Sequence, residues 1–104
     1  MYRWTTPTIT LILPENYDLS EASNVYVTFT NSRGAAKLRK AGDDLSIDGN
    51  VVGVELTQEE TGGMPEMTFV QVNWTYIEGN KTKRDATKKA VLFFEDNNES
   101  GAIE

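Results

Sequence analysis

The chain has 104 residues, 38% hydrophobic and 25% charged, with ten Lys and Arg against sixteen Asp and Glu and a net charge of -6. A chain of this length holds one domain around one modest core, and its acidic balance disfavours nucleic acid and anionic membrane as partners. Having neither Cys nor His, it has no disulfide, thiolate nucleophile, zinc–thiolate site, or Ser–His or Cys–His pair, so the expectation is a non-enzyme without a cofactor.

In chain order, MYRWTTPTITLILP comes first. Its apolar run, Ile9 to Leu13, is too short for a signal peptide core or for the ~20 apolar residues of a membrane span. Ile9, Leu11 and Leu13 alternate with Thr8, Thr10 and Ile12, a strand pattern that Pro14 ends. Trp4, just before this strand, is placed to pack across one end of the fold. ENYDLSEAS is turn-like, and NVYVTFT (Asn24 to Thr30) reads as a strand with Val25, Val27 and Phe29 on one face and Tyr26, Thr28 and Thr30 on the other.

Asn31 to Gly34 reads as a turn. Ala35 to Lys40 reads as an edge strand, Ala36 and Leu38 inward and Lys37 and Arg39 outward, with a single helical turn as the alternative. Leu45-Ser46-Ile47 and Val51 to Leu56 flank Asp48-Gly49-Asn50, a hairpin signal. Met67 to Tyr76 is the longest predicted strand, with Val70, Val72, Trp74 and Tyr76 sharing a face that makes Trp74 a core residue. Glu78-Gly79-Asn80 is the next turn. Lys81 to Lys89 reads as a polar strand or connector, and Ala90 to Phe94 as the last apolar run. Its basic pieces, Lys83-Arg84-Asp85 and Lys88-Lys89, read as a solvated surface or as a dock for an acidic neighbour.

Seven to eight short strands with turns every 8–12 residues or so predict an all-β, immunoglobulin-like antiparallel sandwich. The expected domain spans residues 1–95, with 96–104 as a flexible C-terminal tail.

Three patterns invite chemistry. Asp44, Ser46, Asp48 and Glu55 have the spacing of a calcium loop, with Gly49 at its sixth position. That loop needs a helix on each side, and Gly42 and Gly62-Gly63 interrupt both, so the β-hairpin is the preferred reading and no metal is expected. The sequons at Asn73, Asn80 and Asn98 have no secretory signal to support them. LTQEET, Leu56 to Thr61, sets Glu59 beside Glu60 like a carboxylate site. However, Thr57 and Glu60 stand in the T-x-x-E spacing of a capping box, which predicts a helical turn joining one sheet to the other. The aromatics Tyr2, Trp4 and Tyr26 are the candidate partner contacts, because Trp and Tyr concentrate in binding hot spots.

The succession of TITLILP, NVYVTFTNSRG, IDGNVVGVELTQEET, VQVNWTYIEGNKT and AVLFF resembles the small immunoglobulin-like domains of phage and prophage tails and baseplates. The nearest is the N-terminal domain of the phage baseplate upper protein family. The resemblance implies a structural or assembly protein working through contacts with other phage structural proteins or, as a homo-oligomer, with itself. It also implies a protein first cytoplasmic during assembly and then part of the virion. The alternative is a carbohydrate-binding or cell-surface adhesion module.

Overall fold

Where apolar residues fall at every second position, the chain forms strands. In the computed structural model, which describes residues 1–103, these are β1 (Thr8–Ile12), β2 (Asn24–Thr30), β3 (Ala36–Ala41), β4 (Leu45–Asp48), β5 (Val51–Glu55), β6 (Met67–Glu78), β7 (Lys81–Ala86) and β8 (Ala90–Phe93). A 3₁₀ turn, Gly42–Asp44, precedes β4, and one short helix, α1 (Gln58–Gly62), follows β5.

The strands make two antiparallel sheets packed as a sandwich, the immunoglobulin-like architecture expected. The smaller sheet has the order β1-β5-β4. The larger has β3-β2-β6, and both β7 and β8 pair with the far edge of β6, β8 at Met67 to Val70 and β7 at Asn73 to Glu78. The inward faces meet in one core: Ile9, Val52 and Val54 from the smaller sheet, Leu56 just after β5, and Val25, Val27, Phe29, Val70, Val72 and Trp74 from the larger, with Phe94 closing one end. Burial stabilises each such side chain by about 1.5–3 kcal/mol. Trp74 is a core residue, and Tyr17 from the β1–β2 connection meets its ring edge-on at 5.4 Å between centroids.

The Asp48 turn is a two-residue hairpin. Asp48 pairs with Val51, so Gly49 and Asn50 are the central residues. Gly49 has φ 60°, the left-handed value that a type II′ turn requires at its first central position and that glycine adopts without strain. The same turn pins the β1–β2 connection. Leu13 N–H donates to Asn50 O at 2.8 Å, Asn50 Nδ2 donates to Leu13 O, and Leu19 N–H donates to Gly49 O.

One inward assignment fails. Ala36 is exposed rather than inward, because the β2–β3 register slips between Phe29 and Thr30. Beyond Leu38 the alternation resumes, and Leu38 packs on the core. Ala90 to Phe94 ends as a strand at Phe93, with Phe94 turned inward after it.

The molecule measures 52 × 29 × 20 Å. Its longest strand is β6, whose twelve residues run about 40 Å at ~3.3 Å per residue. The β6–β7 hairpin tip, from Ile77 to Thr82, is exposed along its whole length. No helix among the described residues is long and apolar enough to cross a membrane.

Candidate functional site

The outward faces of β2, β3, β6 and β7 lie side by side and bring together residues far apart in sequence. Tyr26 sits opposite Asn73, Thr28 opposite Arg39, and Thr75 opposite Arg84. The Arg39 guanidinium lies over the Tyr26 ring, 4.0 Å from its centroid, a cation–π contact of about 0.5–1 kcal/mol at an exposed site. From the other side, Arg84 donates from both Nε and Nη2 to Asn73 Oδ1, at 3.3 and 3.0 Å. Between them lies a shallow hollow of about 170 Å³.

Among the described residues, neither arginine has a carboxylate partner. The ion pairs among the described residues are Arg3–Asp96, Lys40–Glu60 and Lys83–Glu78. Two guanidinium groups thus stand unpaired, held by a ring and an amide, on the face of an acidic protein. A guanidinium presents a rigid fork of donors that matches a carboxylate, and its orientation here is already fixed.

Of the other candidate contacts, Tyr2 is 56% exposed and forms a parallel bridge with Glu95 beside β8. Trp4 is half-buried, and its indole covers Gly62, leaving no room there for a β-carbon. It packs across one end of the sandwich, with φ at 63°, and Tyr2 and Tyr26 lie on different parts of the surface.

The calcium-loop residues are spread along strands. Ser46 and Asp48 are outward on β4, Asp44 ends the 3₁₀ turn, and Glu55 ends β5. Same-face neighbours in a strand stand roughly 6.6 Å apart, whereas calcium needs its oxygens converging at about 2.3–2.6 Å. The described residues include no group of three or more acidic side chains arranged to hold a metal ion. Of the sequon asparagines, Asn73 is engaged by Arg84, while Asn80 and Asn98 are exposed.

LTQEET is the crossover between the sheets, and its box is complete. Glu60 N–H donates to Thr57 Oγ1 at 3.2 Å, and Thr57 N–H donates to Glu60 Oε1 at 2.8 Å. Glu60 Oε2 also receives Lys40 Nζ from β3 at 2.8 Å. Partial burial pushes the Glu60 carboxyl up, but the Lys40 hydrogen bond and charge and the Thr57 hydrogen bonds outweigh it and hold it below its ordinary value. Glu59 is exposed.

The C-terminal segment, the expected tail, makes its own contacts. Asp96 pairs with Arg3, Asn97 donates to Arg3 O, and the backbone N–H and C=O of Ile103 both bond the Gln58 side chain. Comparison with protein-family models, curated proteins and solved structures gives no match to this chain.

Proposed function

We propose that this chain is a non-enzymatic structural or assembly component of a phage or prophage tail or baseplate, acting through protein–protein contacts and ending in the virion. The observation that carries the contact role is the pair of unpaired arginines, Arg39 and Arg84, flanking Tyr26 on a rigid sheet face. Tyr and Arg dominate interface hot spots, and side chains fixed before binding lose little entropy on docking. The partner surface is acidic, because two guanidinium groups left without counter-charges are neutralised by carboxylates. The resemblance of TITLILP, NVYVTFTNSRG and VQVNWTYIEGNKT to baseplate domains supplies the particle.

Tailed particles purified from the encoding strain should contain the chain in fixed ratio to the other tail proteins. The Arg39→Glu/Arg84→Glu variant should keep the wild-type circular dichroism spectrum, with a small loss of stability from the lost Tyr26 and Asn73 contacts, and be missing from them. Particles free of the wild-type chain would refute the reading.

A further inference from the structure

A sheet edge offers unpaired backbone groups to any strand that can reach it, and natural proteins block such edges with charge or with covering chain. Here β3 carries Lys37, Arg39 and Lys40, β7 carries Lys81, Lys83, Arg84 and Asp85, and β4 ends in Asp48. The β8 edge is covered by the N-terminus. The Met1 amine donates to Phe93 O, Glu95 N–H to Met1 O, and Arg3 N–H to Glu95 O.

β1 has neither protection. Thr8–Ile12 contains no charge and no proline, and it pairs only with β5. Pro7 O and Leu13 N–H are bonded toward the β5 side. By alternation, Ile9 and Leu11 also turn their backbone groups to β5, and Thr8, Thr10 and Ile12 turn theirs to the open edge. The Ile12 side chain is 75% exposed. Beside this edge, between the sheets, runs a groove of about 520 Å³ walled by Leu11, Leu13, Tyr17, Val70, Val72 and Ala90.

We infer that the β1 edge is the seam of a two-fold dimer, and that its occupant is β1 of a second copy of this chain. The inference deepens the proposed contact role but uses a different surface from the arginine face. The strand is complementary to itself. An antiparallel pairing centred on Thr10 sets Thr10 against Thr10, Thr8 against Ile12, and Ile12 against Thr8. All three pairs use the outward-directed backbone groups, giving ~six hydrogen bonds. On the inner side Ile9 meets Leu11, and the second sheet roofs the groove mouth. No charge of the seam strands meets a like charge, because neither strand has one. The smaller sheets join as β4-β5-β1-β1-β5-β4, and the contact closes, since the two-fold axis through Thr10 sets the same edge of each copy against the other.

The seam is short, so the association is weak. Sedimentation equilibrium at about 0.5 mM protein should give the dimer mass for the wild type. Thr10→Pro should halve that mass with an unchanged circular dichroism spectrum, because proline is tolerated where an edge N–H faces outward. Cysteine tests the register, since the chain has none of its own. Thr10→Cys should form an intermolecular disulfide under mild oxidation, its partners standing about 5.5 Å apart at Cα. Thr8→Cys alone should not, whereas Thr8→Cys mixed with Ile12→Cys should. A wild-type monomer at this concentration, or cross-linking of Thr10→Cys no faster than of Ser32→Cys in the exposed turn, overturns the dimer. Neither result depends on whether the chain enters particles, so the dimer and the particle role fail separately.

Discussion

Lys40 Nζ lies 2.8 Å from Glu60 Oε2, while the other oxygen of the same carboxylate caps α1 through Thr57 N–H. One side chain thereby fastens the edge of the larger sheet to the crossover that leaves the smaller. The side chains are 12% and 21% exposed, so the pair is shielded more than a surface ion pair, which typically contributes about 0.2–1 kcal/mol. Glu60→Ala removes the pair and half of the capping box and should cost about 1–2 kcal/mol. Lys40→Met keeps the cap and should cost less. Urea unfolding of the two single variants and the double variant gives the coupling directly, and an additive cycle would show that the two residues act independently.

The same carboxylate predicts a pH dependence. Its folded-state value is depressed, so the stability it contributes is fully present above the ordinary Glu value, about pH 4.3. It is lost as pH falls through the lower, folded-state value. Wild-type stability should therefore fall more steeply than that of Glu60→Gln as the pH is lowered below about 4.3. Parallel curves in urea titrations at each pH would remove Glu60 from the acid response.

Thr57→Ala should destabilise the fold by ~1 kcal/mol through loss of the cap, and Thr57→Ser should be close to neutral, because the hydroxyl is what accepts Glu60 N–H. Neither variant should change contact formation at Arg39 and Arg84, which lie on the outer face of the larger sheet. Thermal melts and incorporation into particles read the two effects apart.

What was legible in the sequence follows from distance along the chain. Alternation in Val25-Val27-Phe29 and Val70-Val72-Trp74 declares the strands, the glycine turn declares the β4–β5 hairpin, and Thr57-x-x-Glu60 declares the crossover, since each signal lies within one element or one turn. Arg39 over Tyr26 and Arg84 on Asn73 depend on the registers of four strands, and no local pattern carries those. The Lys40–Glu60 pair likewise spans two sheets. Lys83-Arg84-Asp85 reads as a solvated surface or as a dock for an acidic neighbour, and nothing near it points to Tyr26. The misplaced Ala36 has the same root, a register slip against β2 that the AKLRKA segment does not announce.

Trp4 and Gly62 form the last testable pair. A β-carbon at Gly62 would stand 2.6 Å from two atoms of the Trp4 ring. Helix propensity alone favours alanine over glycine by up to ~1 kcal/mol. Here the contact opposes it, because Trp4 is held in place. Thr5 N–H donates to Thr61 Oγ1, and Thr61 Oγ1 donates back to Thr5 O, at 3.0 and 2.8 Å. Those bonds, with the indole packed on Gly62, hold Trp4 at a left-handed φ that costs a bulky residue ~1–3 kcal/mol. Gly62→Ala should therefore destabilise by about 1–3 kcal/mol, the range of an overpacked core. With Trp4→Ala as background the sign should reverse, leaving only the gain in helix propensity. Equal effects of Gly62→Ala in both backgrounds, measured by chemical unfolding, would show that the indole does not sit on the glycine.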